Sequence, residues 1–402
     1  MSDPWLYVIG IGEDGLDGLG SRAHARVIEA EVLVGGARHL AKVPPGKAER
    51  VAWGKDFNAT VESLARWRGR RVVVLASGDP MNYGAGAVVA RCFAREEFAI
   101  IPAPGAFSLA AARMGWSLPD VECLTVHGRP LAVVDRHVAP GKKLLILAED
   151  AATASKLAAH LVRRGYGKSP VIALERLGGA AERRVEGLAE SWTHPPGDDL
   201  VTLALECVAG PGARILSHVA GLPDDAYLHD GQITKREVRA ATLARLMPLA
   251  GQLLWDVGAG AGSIAIEWLR AEPLARAVAL ERDPARIELI RRNAENLGVP
   301  ELAIVAGEAP GALAGLPAPP DAVFLGGGIS AETLGYCWRA LGACGRLVAN
   351  AVTLEAERAL LDFHAKAGGE LIRIAIERLD LIGSHPALKP LRPVLQLAAR
   401  KP

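Results

Sequence analysis

The stretch from Leu253 to Trp268, Leu-Leu-Trp-Asp-Val-Gly-Ala-Gly-Ala-Gly-Ser-Ile-Ala-Ile-Glu-Trp, leaves few folds open to this chain. Leu253, Leu254, Trp255 and Val257 form a short apolar run that reads as a buried strand. Gly258, Gly260 and Gly262 then make a turn without Cβ atoms, so a ligand can approach the backbone closely. From Ser263 the pattern turns helical, with Ile264, Trp268 and Leu269 on one face and Glu267 nearby. A strand, a glycine turn and a helix N-terminus make a nucleotide-binding corner. The dinucleotide fingerprint asks for glycine or alanine three places after the second glycine, where this chain has Ser263.

Composition narrows the rest. At 402 residues the chain is long for one domain, and two of ordinary size are expected. Half of it is hydrophobic, enough to fill two cores, and the formal net charge of +1 offers no global field for nucleic acid. Five scattered cysteines, with no Cys-x-x-Cys pair, argue against a disulfide framework or a structural zinc site and suit a reducing cytoplasm. Asp3, Glu13 and Asp14 surround the first apolar run, unlike a signal peptide, and no apolar stretch approaches the roughly 18 residues of a membrane span.

The N-terminal half alternates strands, glycine turns and helices, the pattern of an open parallel α/β sheet. Trp5 to Ile11 reads as a strand broken by Gly10 and Gly12, with a helix from about Arg22 to Ala30 and a strand over Glu31 to Val34. Arg71 to Ala76 runs into Ser77-Gly78-Asp79-Pro80, and Phe98 to Ile101 into Pro102-Ala103-Pro104-Gly105-Ala106-Phe107-Ser108. In such sheets ligands bind beyond the carboxyl ends of the strands, where these loops lie. Further on, Leu124 to Val126, Lys143 to Ala148, Pro170 to Leu174 and Val201 to Glu206 read as strands and Ala154 to Arg163 as a helix. His127 sits on a loop after one of these strands and is a candidate for the cleft, although a lone loop histidine is more often merely solvated.

These three loops, in this order, resemble those of the tetrapyrrole methylases, the class III S-adenosylmethionine (SAM) enzymes. The resemblance implies that Gly78 and Asp79 contact SAM, that Ser108 lines its pocket, and that Gly10 and Gly12 border cofactor and tetrapyrrole. The family usually has proline after the first Gly-x-Gly, and here that residue is Glu13. An Asp-Pro turn residue is the plainer account of Asp79.

Val208 to Ala213 carries two glycines and a proline and reads as a linker, with domains expected at 1–208 and 218–402 and the join at 209–217. Beyond it, Thr234 and Glu237 have the spacing of a capping box for a helix bearing Lys235, Arg236 and Arg239. Cations at a helix start oppose the dipole, which suggests carboxylate binding as readily as a solvated face. After the Gly258 turn come strands at Arg276 to Leu280, Leu302 to Ala306, Asp321 to Leu325, Arg346 to Ala349, Leu371 to Ile376 and Val394 to Ala398. Glu281 ends the first of these, about twenty residues past the glycines, where an acid accepts hydrogen bonds from ribose. Gly326-Gly327-Gly328 follows the third, and a loop with His385, Lys389 and Arg392 is expected between the last two.

The Gly-x-Gly-x-Gly spacing resembles the first motif of class I SAM methyltransferases. With Ile233-Thr234-Lys235-Arg236-Glu237-Val238-Arg239, Trp255-Asp256-Val257-Gly258-Ala259-Gly260 and Asn350-Ala351-Val352-Thr353, the second half closely resembles the precorrin methylases of the cobalamin pathway. The resemblance implies an α/β chain of two domains, a two-subdomain class III tetrapyrrole methylase fold followed by a Rossmann-like class I methyltransferase fold. It implies one SAM per domain, held in the second by Asp256, Gly258, Gly260, Gly262, Glu281, Glu308 and Ala309, and no metal. It also implies a precorrin methylated at carbons 5 and 15 with loss of carbon dioxide from the ring C acetate. Related stand-alone C-terminal enzymes assemble as oligomers, so self-association through this half is expected.

A sulfonium methyl is already activated, so catalysis is mainly orientation and exclusion of water, which fits the lack of an acid–base constellation. The many carboxylates of a precorrin call for basic residues, and Lys235, Arg236, Arg239, Lys389 and Arg392 are the candidates. Lys235, Arg236, Asn350 and His385 are the candidates for a catalytic role. A nicotinamide-dependent oxidoreductase on the Gly258 corner and a catalytically inert tetrapyrrole-binding protein are the rival readings.

Overall fold

The computed structural model of the chain describes residues 3–317 and 319–402. It divides into two compact units, one of Met1–Arg129 with Ala139–Arg214, the other of Pro130–Val138 with Ile215–Pro402.

The first unit opens with β1 (Leu6–Ile11), α1 (Ser21–Ile28), β2 (Val32–Gly35), α2 (Ala37–Ala41), β3 (Glu49–Ala52), α3 (Phe57–Glu62), β4 (Val72–Ser77), α4 (Ala85–Cys92), β5 (Phe98–Ile101) and α5 (Ala106–Met114). The strands join in the order β3-β2-β4-β1-β5, all parallel. Because both faces of this sheet are covered, its central strands are continuous apolar runs, and Leu6, Val8, Ile9, Val72, Val74 and Leu75 are fully buried. The second sheet of this unit comes from β6 (Glu122–Thr125), β7 (Lys143–Leu147), α6 (Thr153–Arg163), β8 (Pro170–Glu175), β9 (Arg183–Leu188) and β10 (Val201–Glu206). Its order is β6-β7-β10-β8-β9, with only β6 and β7 parallel. The short edge strands β3 and β9 had no clear sequence signal: Glu49-Arg50 and Arg183-Arg184 are charged and exposed.

The second unit contains α7 (Arg236–Leu246), β11 (Leu253–Val257), α8 (Ser263–Ala271), β12 (Arg276–Glu281), α9 (Pro284–Asn296), β13 (Ala303–Ala306), β14 (Ala322–Leu325), α10 (Ala331–Ala340), β15 (Arg346–Ala351), α11 (Leu354–Ala367), β16 (Glu370–Ile374), β17 (Glu377–Ile382), β18 (His385–Pro390) and β19 (Val394–Arg400). Seven strands form one sheet in the order β13-β12-β11-β14-β15-β19-β16, with β19 antiparallel to both neighbours. The order reverses between β11 and β14, and that switch point is where an open α/β sheet opens a crevice for ligand. Trp255 and Trp268 anchor the core, each with its indole N–H bonded to a backbone carbonyl, Pro317 O at 2.8 Å and Arg276 O at 3.1 Å. Burying side chains of this size contributes about 2–3 kcal/mol each.

Three expectations need correction. The stretch expected as a loop between the last strands is the hairpin β17–β18, whose prolines Pro386 and Pro390 hid its strand character. The Thr234–Glu237 capping box does not form. The helix starts one residue later, Lys235 occupies the N-cap without a side-chain bond, and Glu237 pairs with Arg378 of the hairpin instead. Finally, Pro130–Val138, expected within the N-terminal domain, packs in the second unit. There Gly298 lies so close to Arg136 that a Cβ would stand 2.4 Å from its backbone nitrogen, and Arg136 pairs with Glu301.

Candidate functional site

In the first unit the parallel order places β1 between β4 and β5, so the loops after all three strands converge. Contact is backbone to backbone. Gly78 N donates to Ile11 O at 3.2 Å, and Ala103 N donates to Gly78 O at 3.1 Å. A Cβ at Gly10 would stand 1.8 Å from Gly78 O, and one at Gly78 would stand 2.8 Å from Gly105 Cα. Gly78 also takes φ +50, a left-handed angle that favours glycine. The result is a cradle walled by main chain.

Asp79 is half-buried at its edge, with Oδ1 accepting from Met81 N at 2.9 Å, so it does shape its own turn. Ser108 lies exposed in the first turns of α5, whose N-cap Gly105 touches Asp79. The loops thus bring Gly10, Gly78, Asp79 and the start of α5 together. Gly12 faces Asp14 rather than the other loops: a Cβ there would stand 2.4 Å from Asp14 Oδ1.

Tyr83, which sequence reading passed over, adopts φ +54 on the same loop and packs edge-on against Phe107, with the Arg129 guanidinium 5.4 Å from its ring. Aromatic residues adopt this backbone seldom, and such positions cluster at functional sites. His127 is largely solvated, its Nδ1 3.6 Å from Glu149 Oε2.

In the second unit the Gly258 turn meets the triple-glycine loop. Gly258 takes φ +70, and a Cβ on it would stand 2.7 Å from Gly327 Cα. Gly262 sits against Ile290, at 2.9 Å from the same construction. Buried carboxylates brace the turn from behind. Glu281 Oε2 accepts from Gly260 N at 2.8 Å while Oε1 accepts from Arg282 N and Asp283 N, each at 3.0 Å. Asp256 is 1 % exposed, and its Oδ2 accepts from Ala265 N at 3.0 Å. Its Oδ1 has no partner among the described residues, and burial, with the nearby Glu281 charge, pushes its carboxyl up to about 7. Ala309 lies near Gly328, whereas Glu308 is an exposed side chain paired with Arg282.

The candidate substrate residues separate sharply. Lys235 is half-buried and Arg236 exposed, and neither is held in an ion pair among the described residues. They stand close in sequence to Gln232, whose carbonyl faces Gly260. Arg239 is corrected: it is fully buried and committed. Its Nε donates to Glu267 Oε1 at 2.5 Å, and its Nη1 to Asp224 Oδ1 at 3.2 Å and Thr234 O at 2.5 Å. Glu267 also accepts from Gly221 N, Leu222 N and the Tyr227 hydroxyl, so this is a structural network. Burial drives the Tyr227 hydroxyl well above its ordinary range.

Asn350 is buried too, donating to Thr242 Oγ1 at 2.9 Å and accepting from Gln396 Nε2 at 2.9 Å. Lys389 pairs with Asp380 across the hairpin, His385 lies exposed at its turn where β18 begins, and Arg392 lies exposed beyond its end. No group of side chains able to hold a metal occurs among the described residues.

Residues 5–192 match the family of tetrapyrrole (corrin/porphyrin) methylases, and residues 225–401 match the precorrin methyltransferase domain. A precorrin-6Y C(5,15)-methyltransferase [decarboxylating] of Sinorhizobium sp is 49% identical, over 98% of this chain and 95% of that protein. One of Mycobacterium tuberculosis is 39% identical, over 98% of this chain and 100% of that one. Among solved structures, the C-terminal domain of precorrin-6Y C5,15-methyltransferase from Rhodobacter capsulatus is 45% identical, covering 46% of this chain and all of its own, at a TM-score of 0.44. With both domain families present and a near-full-length match at this identity, the chain belongs to the family of decarboxylating precorrin-6Y C(5,15)-methyltransferases.

Proposed function

We propose that the chain methylates precorrin-6Y at carbons 5 and 15 and removes the ring C acetate carboxyl as carbon dioxide, giving precorrin-8. The domain at 1–208, apart from Pro130–Val138, carries the carbon 5 methylation, and the domain at 218–402 carries the carbon 15 methylation and decarboxylation, with 209–217 between them. Family membership removes the ground for the nicotinamide and inert-carrier alternatives.

The observation that carries this reading is the pair of glycine cradles, one at the carboxyl ends of the parallel strands in each unit. Glycine at 10, 78 and 258 lets the opposing loops close main chain to main chain, which supports a turn of backbone amides for SAM in each unit. SAM supplies a methyl group already activated on sulfur. The chain therefore has to hold the nucleophilic carbon in line and keep water away. Glu281 Oε2, which accepts one amide, keeps a lone pair for a ribose hydroxyl, and Ser108 and Asp79 lie at the mouth of the first cradle. Replacing a meso hydrogen by methyl releases one proton. Breaking the carbon–carboxyl bond leaves an electron pair on the ring system, which takes a proton up. Lys235 and Arg236 are assigned to substrate carboxylates at the second site.

Self-association through the second unit is part of the proposal. The hairpin face formed by Leu379, Leu381 and Leu388 is 64–74% exposed, which suits burial against another copy. A cytoplasmic setting agrees with five free thiols. No described helix is long and apolar enough to cross a membrane.

Product analysis tests the division of labour. With the full chain, methyl-labelled SAM and precorrin-6Y, Gly258→Val is expected to stop one methyl transfer together with carbon dioxide release while the other transfer continues. Loss of both transfers, or carbon dioxide release without the second methyl, would contradict it.

A further inference from the structure

Glu13, the residue standing where related loops carry proline, is the centre of a cationic cluster in the first unit. Its carboxylate is 11% exposed and bonded by three cations: Lys42 Nζ, Arg38 Nη1 at 3.2 Å and Arg176 Nη1 at 3.3 Å. Lys42 also reaches Gly12 O at 2.7 Å, and Arg38 Nη2 reaches Ser77 Oγ at 3.3 Å. The group therefore sits on the loops after β1 and β4, beside the Gly10–Gly78 cradle. Arg176 approaches from the end of β8 in the second sheet of the same unit, its Nε on Asp198 Oδ2 at 2.6 Å.

Two features separate this cluster from ordinary surface pairing. First, charge is in excess: three cations meet two carboxylates. His39, on the same short helix as Arg38 and 2.9 Å from Ser77 Oγ, is pushed down to about 4 by burial and by the Arg38 and Lys42 charges. It adds no fourth charge, and it registers the positive potential there. Second, Arg176 holds φ +47, a left-handed angle uncommon for residues with a side chain. Strain of this kind persists where surroundings over-determine it, and here Glu13 and Asp198 do so.

Arg38 and Arg176 are 39% and 41% exposed, so each presents guanidinium N–H groups to solvent while Glu13 fixes its position. A guanidinium has five donors in a planar fork that matches a carboxylate. We infer that Arg38 and Arg176, oriented by Glu13, form the site that grips peripheral carboxylates of the tetrapyrrole during the first-unit methylation. Lys42, only 15% exposed, neutralises Glu13, so the cluster keeps a net positive charge although Asp198 pairs with Arg176. The inference rests on the function proposed above, since it takes the substrate to be a polycarboxylate.

The test uses the full chain, with precorrin-6Y and SAM varied separately for the first-unit methylation. Arg38→Gln and Arg176→Gln are each expected to raise KM for the tetrapyrrole about ten-fold, the loss of one charge-assisted contact. SAM affinity by calorimetry and the second-unit methylation should stay unchanged. Arg→Lys at either position should recover part of the loss, keeping charge but not the fork. Unchanged KM, or SAM affinity falling in parallel with it, would overturn the assignment and leave the cluster as a brace between the two sheets. A wild-type chain that transfers no methyl group to the tetrapyrrole would overturn the proposed function instead.

Discussion

The two cradles use the same glycine geometry and place their charge on opposite sides of it. In the first unit the loops after β1, β4 and β5 lock main chain to main chain, and the ionic cluster of Glu13, Arg38 and Arg176 lies partly exposed at the cleft edge. In the second unit most of the charge lies behind the cradle: Asp256, Glu267 and Arg239 are all 2% exposed or less. Charge in front of a cradle stays open to solvent and ligand. Charge behind one holds the turn and the helix in position, and its energetics belong to folding.

This contrast sets the expected effects of substitution. The largest is Arg239→Ala, which leaves Glu267 buried without its cation and should cost about 3–5 kcal/mol of stability. Denaturant unfolding measures it. A loss of substrate affinity at unchanged stability would restore Arg239 as a substrate residue and break the comparison.

A smaller, pH-dependent effect is expected at Asp256. Its folded-state carboxyl titrates at about 7, against 3.8 ordinarily, so the folded chain binds the proton more tightly than the unfolded one. Stability from this group is therefore undiminished below the ordinary value, falls as pH rises through the interval, and stays reduced above about 7. Asp256→Asn removes that slope and keeps an acceptor for Ala265 N. Thermal midpoints across pH should show the variant gaining on the wild type as pH rises. A gain independent of pH would mean that the buried carboxyl is not the cause.

What sequence reading could reach follows the same division. Strand–glycine–helix corners are local patterns, so both cradles were visible, down to Gly78 and Gly258. The partners of charged residues were not, because they come from distant parts of the chain. Arg239 looked like a free cation at a helix start, and only the fold brings Glu267 and Asp224 to it. Glu13 looked like an irregularity in a loop until Arg38, Lys42 and Arg176 gathered round it. The hairpin escaped because its prolines oppose strand propensity and its leucines face out rather than into a core. Asn350 looked available at a strand end, but Thr242 of α7 and Gln396 of β19 engage it in the core. The placement of Pro130–Val138 in the second unit has no local signature at all.

The central claim is that one chain carries two independent SAM sites. Titration calorimetry of the full chain with SAM tests it most directly, comparing the wild type with Gly10→Val and Gly258→Val. The account predicts two sites in the wild type and one in each variant, with the surviving site unchanged in affinity. A single site in the wild type, or either variant losing both, would contradict it.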